Sequence, residues 1–232
     1  MLGSRGAQAP DLNTFPGLAV KQVEVLRDGA SAQYGSDAIA GVINFILDDR
    51  PGLEMFGQYS QYYKNDGDTY QVGLQGGVAL GDRGSLVVTA EFSDGAATSR
   101  TRQRPDAIAL QDARPDLDIP NPVQRWGQPD TQTLRGAFNM KYELSDGLEF
   151  YAFGTGADGD GVTDFNWRNP VGTSSVFKDT LAFPGFNFLS VYPTGFTPRF
   201  GTEFSDLQAV GGLRGDLADG GFTYDLSASA GR

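Results

Sequence analysis

Residues 23–47 read VEVLRDGASAQYGSDAIAGVINFIL: a short apolar strand, a turn punctuated by glycine, and a second apolar strand. Val23 and Val25 alternate with Glu24, the period of two that marks a strand. Asp28-Gly29 is a turn dipeptide, and Gly29, Gly35 and Gly41, with the small Ala38 and Ala40, allow close backbone approach before Val42-Ile43-Asn44-Phe45-Ile46-Leu47. The glycines read as backbone geometry. No Gly-Lys-Ser/Thr follows them and no G-x-G-x-x-G pattern is present, so a phosphate loop is excluded.

Outward from this stretch, the chain from Leu53 repeats one unit, a run of about ten residues of alternating polarity followed by a turn. Leu134, Gly136, Phe138, Met140, Tyr142 and Leu144 oppose Arg135, Ala137, Asn139, Lys141 and Glu143. Similar alternation covers residues 70–80, 86–93, 207–217 and 222–230, and weaker alternation covers 54–63 and 148–156. The connections are unequal. Residues 94–130 and 157–205 read as long loops, and the tight Asp/Gly turns at 81–84, 145–147 and 218–221 then all fall on the opposite side. Such asymmetry fits a membrane barrel better than a compact soluble domain. Tyr59, Tyr62, Tyr63, Tyr70, Phe92, Tyr142, Tyr151, Phe222 and Tyr224 are candidates for interfacial aromatic girdles. Glu91, Arg135, Lys141, Glu143, Arg214 and Asp216 fall on the polar face, in water or against a plug.

Residues 19–47 resemble the closing segment of the plug domain of TonB-dependent outer-membrane receptors. Val-Glu-Val-Leu-Arg, Gln33-Tyr34-Gly35 and Ala40-Gly41-Val42-Ile43-Asn44 carry the resemblance; Asp28-Gly29-Ala30 and Asp48-Asp49-Arg50-Pro51 depart from the family pattern. The resemblance implies a mainly β fold, with the C-terminal part of a plug domain (residues 1–50) preceding the N-terminal portion of a transmembrane antiparallel β-barrel (residues 51–232). About seven strands of about 22 are expected, so the chain reads as a fragment. It further implies residence in the outer membrane of a Gram-negative bacterium, contact with outer-membrane lipid, and energy-coupled uptake of a scarce large ligand: siderophore, vitamin, oligosaccharide or similar. The partner would be the TonB energy-coupling protein, reached through a coupling box expected upstream, as is an export signal. Glu24 and Arg27 match the positions thought to latch plug to barrel wall.

Composition limits the alternatives. With no cysteine and no histidine, disulfide scaffolds, Cys or His zinc sites and His-based catalysis are excluded. A net charge of −11 repels a phosphate backbone, so nucleic acid is not an expected partner. The 32 glycines, 16 phenylalanines and 9 tyrosines suit many short strands and tight turns. No apolar run is long enough for a helical membrane span. No carboxylate pair stands out as a glycosidase centre, so no enzyme, catalytic residue, cofactor or metal is expected. Asp158-Gly159-Asp160-Gly161-Val162-Thr163-Asp164 resembles part of a calcium loop, but Asn169 stands where the closing glutamate belongs, and a solvated loop is the favoured reading. The loop at 157–205 is dense in rings. Phe165, Trp167, Phe186 and Tyr192, with Arg168 and Arg199, are candidate ligand contacts; a self-packed loop core is the equal alternative. A passive porin-like barrel and a soluble all-β binding module are the other function classes.

Overall fold

The computed structural model describes residues 12–27, 29, 31–35, 38–172, 174–217 and 221–232. The Asp28 half of the expected first turn lies outside them. The plug segment is a two-stranded antiparallel ribbon, β1 (Val20–Leu26) against β2 (Val42–Leu47), with Glu24 opposite Asn44 and Leu26 opposite Val42. A single helical turn, α1 (Ser31–Tyr34), lies between them. Ahead of β1, two 3₁₀ turns at Leu12–Thr14 and Gly17–Ala19 bracket the fully buried Pro16.

Four residues after β2 the second unit begins, a seven-stranded sheet in which every neighbour is antiparallel and consecutive in sequence. Its strands are β3 (Gly52–Ser60), β4 (Thr69–Ala79), β5 (Gly84–Gly95), β6 (Asp130–Ser145), β7 (Leu148–Asp164), β8 (Arg199–Leu217) and β9 (Phe222–Gly231). The mainly β expectation and the seven strands are therefore both observed. Between β6 and β7 the loop is just Asp146-Gly147, with Gly147 at φ +75°, the left-handed conformation that a two-residue hairpin turn requires.

Burial along the strands is inverted relative to a water-soluble sheet. On β5, Thr89 and Glu91 are each 3% exposed while Val88, just before them on the opposite face, is 51% exposed. The same inversion continues sideways: Val72, Leu74 and Leu134 point outward beside Val88, whereas Gln75 and Thr133 are buried. A polar residue gains nothing by burial unless something polar covers it. Here the plug covers it. The outward apolar band has aromatic ends. Tyr59 and Tyr70, 5.1 Å apart, stand near one margin with Phe92, and Tyr142, Phe150 and Tyr224 stand near the other. From the row of Phe92 to that of Gly84, opposite Tyr142, is roughly 26 Å of extended chain, close to the height of a barrel's lipid band. Tyr151 is not part of this girdle. It pairs with Lys141 on the plug-facing side, donates to Asp225 Oδ1 at 2.6 Å and lies under the Arg214 guanidinium.

The loop boundaries need correction. Residues 158–164 form the end of β7 rather than a solvated loop, hydrogen-bonded to β6 on one side and β8 on the other, and β8 begins at Arg199, not near 207. Runs such as Asp-Gly-Asp-Gly carry no hydrophobic period, so their strand character comes wholly from ladder pairing. Among the described residues no group of three or more Asp or Glu gathers as a metal would need, and the calcium-loop resemblance dissolves into a strand.

Candidate functional site

The site is the seam between the plug segment and the sheet, and its centre is Asp48, the residue just beyond β2. The Asp48 side chain is 5% exposed. Arg50 grips it as a fork, with Nε donating to Oδ1 at 2.9 Å and Nη2 to Oδ2 at 2.7 Å, while the Arg50 backbone N–H donates to Oδ1 at 3.0 Å. From the sheet, Gln75 Nε2 donates to Asp48 Oδ2 at 3.2 Å, and Thr89 Oγ1 donates to Gln75 Oε1 at 2.9 Å. The backbone of Asp48 is also held: its N–H donates to Ala19 O at 2.8 Å, and its carbonyl accepts from Asn139 Nδ2 at 3.0 Å. The fork with Arg50 holds the Asp48 carboxyl well below the usual aspartate range, and the Gln75 hydrogen bond adds to this while burial opposes it.

Asp49 is a second tie. One oxygen accepts from Lys21 of the plug at 2.7 Å and the other from Lys141 of β6 at 2.5 Å, so one carboxylate bridges the two units. Lys141 first and Lys21 second hold its carboxyl down to about 2, against the opposing effect of burial. A depressed acid stabilises the seam fully above its ordinary value of about 3.9 and loses that contribution as pH falls through its folded value. The tie is therefore constant across neutral pH and weakens between about pH 4 and pH 2. A carboxyl-carbon NMR titration should give Asp49 a midpoint near 2, moving toward the ordinary range in Lys141→Gln. A midpoint already ordinary in the parent would show that the bridge does not form.

Two further contacts seat the 3₁₀ turns. Leu18 N–H donates to Glu91 Oε1 at 2.6 Å, which gives this buried sheet carboxylate a partner. Arg135 donates to the Asn13 carbonyl through Nε and to Ser93 Oγ through Nη1, the latter at 3.1 Å. Phe15 stacks on Phe45 at 5.4 Å within the plug. Gly77 of β4 matters by being small: a Cβ there would press on the Arg50 carbonyl and on Pro51 as the linker crosses the sheet.

Glu24 and Arg27, the residues expected to latch the plug, are exposed. Glu24 accepts hydrogen bonds from Gln22 and Asn44, both of the plug. Beside the contacts of Leu18 and Asn13, the carboxylate ties to the sheet are made by Asp48 and Asp49, which lie in the stretch where the sequence departs from the family pattern. The departure itself was the available signal, two acids and an arginine placed at the crossing between units. Of the turn glycines, Gly35 (φ +92°) and Gly41 (φ +149°) hold left-handed backbone, and a Cβ on Gly29 would meet Ile39 O at 3.0 Å.

The outer-loop candidates separate. Trp167 is 5% exposed and belongs to a core with Ala107, Leu110, Ile119 and Val123, so it is a packing residue and not a ligand contact. Ala107 and Leu110 come from α2 (Pro105–Ala113), a helix inside the first long loop. The two long loops thus fold as one cap. Gln124 Oε1 accepts from Trp167 N–H at 2.8 Å, Arg125 Nη2 reaches Asp164 at 3.2 Å, and the Arg104 guanidinium lies 5.9 Å from the Trp167 ring. Arg199, 3.9 Å from Asp164, shares that carboxylate with Arg125. Arg168 lies over the Phe165 ring at 5.5 Å. Phe186, Phe188, Tyr192 and Phe196 form a chain of ring contacts 4.9–6.1 Å apart, yet Phe186 and Tyr192 stay almost half exposed. Packing and exposure coexist there, as neither half of the sequence reading required alone.

The family model described as TonB-dependent Receptor Plug Domain matches residues 2–42. A plug of that family, tied by Asp48 and Asp49 to one face of a seven-stranded antiparallel sheet, is consistent with a TonB-dependent receptor.

Proposed function

We propose that this chain works in energy-coupled uptake across the outer membrane of a Gram-negative bacterium: outer loops take up a ligand, the plug is displaced by the TonB coupling protein, and the ligand passes along the polar face of the sheet. Residues 1–50 are the plug side of this device and 51–232 its barrel side. The role is transport, with no catalytic step. The observation that carries the reading is the nature of the seam. Hydrogen bonds and ion pairs between polar surfaces can be broken and remade in water without unfolding either unit, whereas an apolar seam would have to expose a core. Glu24 on the ribbon and Arg27 just beyond it are exposed, placed to meet charged groups of a barrel wall. The outward apolar band supports contact with lipid, since only a closed barrel satisfies strand edges there.

Conductance of the purified receptor in planar bilayers tests this. A plugged transporter stays closed and opens when urea unseats the plug. Immediate steady conductance would favour a passive porin, and recovery in water without detergent would favour a soluble binding module.

A further inference from the structure

A cavity of about 520 Å³ opens at the loop end of the plug-facing side, where β3, β4, β5 and β6 finish. The hydroxyl-bearing Ser60, Thr69, Ser93 and Thr131 and the amide-bearing Gln61 and Gln128 line it. Among the described residues no Asp, Glu, Lys or Arg does. The charges nearby are engaged: Asp66 is gripped by the Arg100 guanidinium, Asp68 accepts from Tyr59 Oη at 2.6 Å and Gln61 Nε2 at 2.8 Å, and Arg135 donates to Ser93 Oγ at 3.1 Å and to the Asn13 carbonyl. Gly95 floors the notch. A Cβ there would sit 3.3 Å from Thr131 Oγ1 and 3.6 Å from Thr69 Oγ1, so the missing side chain leaves two hydroxyls facing one space. The Tyr62 ring, with Arg100 5.3 Å from its centroid, gives the cavity an aromatic wall.

We infer that this cavity binds a neutral polyhydroxylated ligand, a sugar unit of an oligosaccharide. A ferric chelate, carboxylate or phosphate would lose hydration there and meet only guanidinium groups already engaged, Arg100 with Asp66 and Arg135 with Ser93 and the Asn13 carbonyl, a cost that hydroxyls alone do not return. A sugar brings many hydroxyls that pair with hydroxyl and amide groups, and an apolar ring face that packs on tyrosine. The volume is within the range of small-ligand sites. This inference rests on the transport reading above and names the ligand class for it.

The test is calorimetry on the detergent-purified receptor with maltotriose, cellotriose and xylotriose, against ferric citrate, in the parent, Thr131→Val and Gly95→Ala. Heat-modifiable migration on gels shows that each variant is folded. At least one trisaccharide should bind, with Kd raised about tenfold in each variant, the effect of one lost or blocked hydrogen bond. Binding of ferric citrate with no trisaccharide overturns the ligand class, and so does binding of none of the four. A trisaccharide bound equally by parent and both variants overturns the site. Uptake by whole cells separates these results from failure of the transport reading: uptake indifferent to a protonophore defeats transport by energy coupling, whatever the ligand.

Discussion

Asp48→Ala should release the plug segment from the sheet, and it is expected to do so far more than Arg50→Lys would. The difference follows from exposure. Arg50 is 66% exposed in its side chain and returns to water when the carboxylate is gone, while Arg50→Lys keeps a cation beside the buried carboxylate and forfeits little. Gln75, 5% exposed, has no such exit; without Asp48 its amide is left buried with an unpaired donor. A lost charge-assisted hydrogen bond plus a stranded buried amide amounts to about 3 kcal/mol, or roughly a hundredfold more time unseated. Amide hydrogen exchange in residues 42–51 should speed up by about that factor in Asp48→Ala and by severalfold at most in Arg50→Lys. Equal acceleration by the two variants would mean that the exposed ion pair, and not the buried hydrogen bond to the sheet, sets the seating.

Gly41→Val should disrupt the β1–β2 ribbon itself. Gly41 sits at φ +149°, a conformation closed to β-branched side chains, and a Cβ there would overlap the Leu26 carbonyl oxygen and crowd Arg27 Cα. Both obstructions are backbone, so neither can rotate away. The expected loss exceeds about 4 kcal/mol, which places it among the most damaging single changes. Gly35→Ala is the control. Its φ of +92° is also left-handed, but nothing among the described residues lies within 4 Å of the added carbon, so about 1 kcal/mol is expected. Limited proteolysis should cut Gly41→Val within residues 20–47 while sparing Gly35→Ala. Resistance of Gly41→Val equal to the parent would refute the backbone argument.

By itself the sequence determined the two units and most of the strands. Alternation at a period of two survives in any sheet with one face apolar, so β4, β5, β6 and β9 are visible as patterns. The plug ribbon is visible because its glycines, Gly41 above all, answer to local backbone geometry that only that residue type supplies. The polar residues Glu91, Arg135 and Lys141 fall on one face for the same reason, and they meet the plug. The tertiary structure alone decided which charges make the seam. Asp48 and Asp49 look like ordinary solvated acids until β2 lies across β4 and β6, because pairing over 27 and 92 positions leaves no local trace. It likewise decided that residues 158–164 are strand, through ladder bonds to neighbours on both sides, and that Trp167 is core, through α2 arriving from the other loop. Local pattern fixes what a residue can do near its own backbone. Partners far along the chain, which only packing brings together, fix what it does in the molecule.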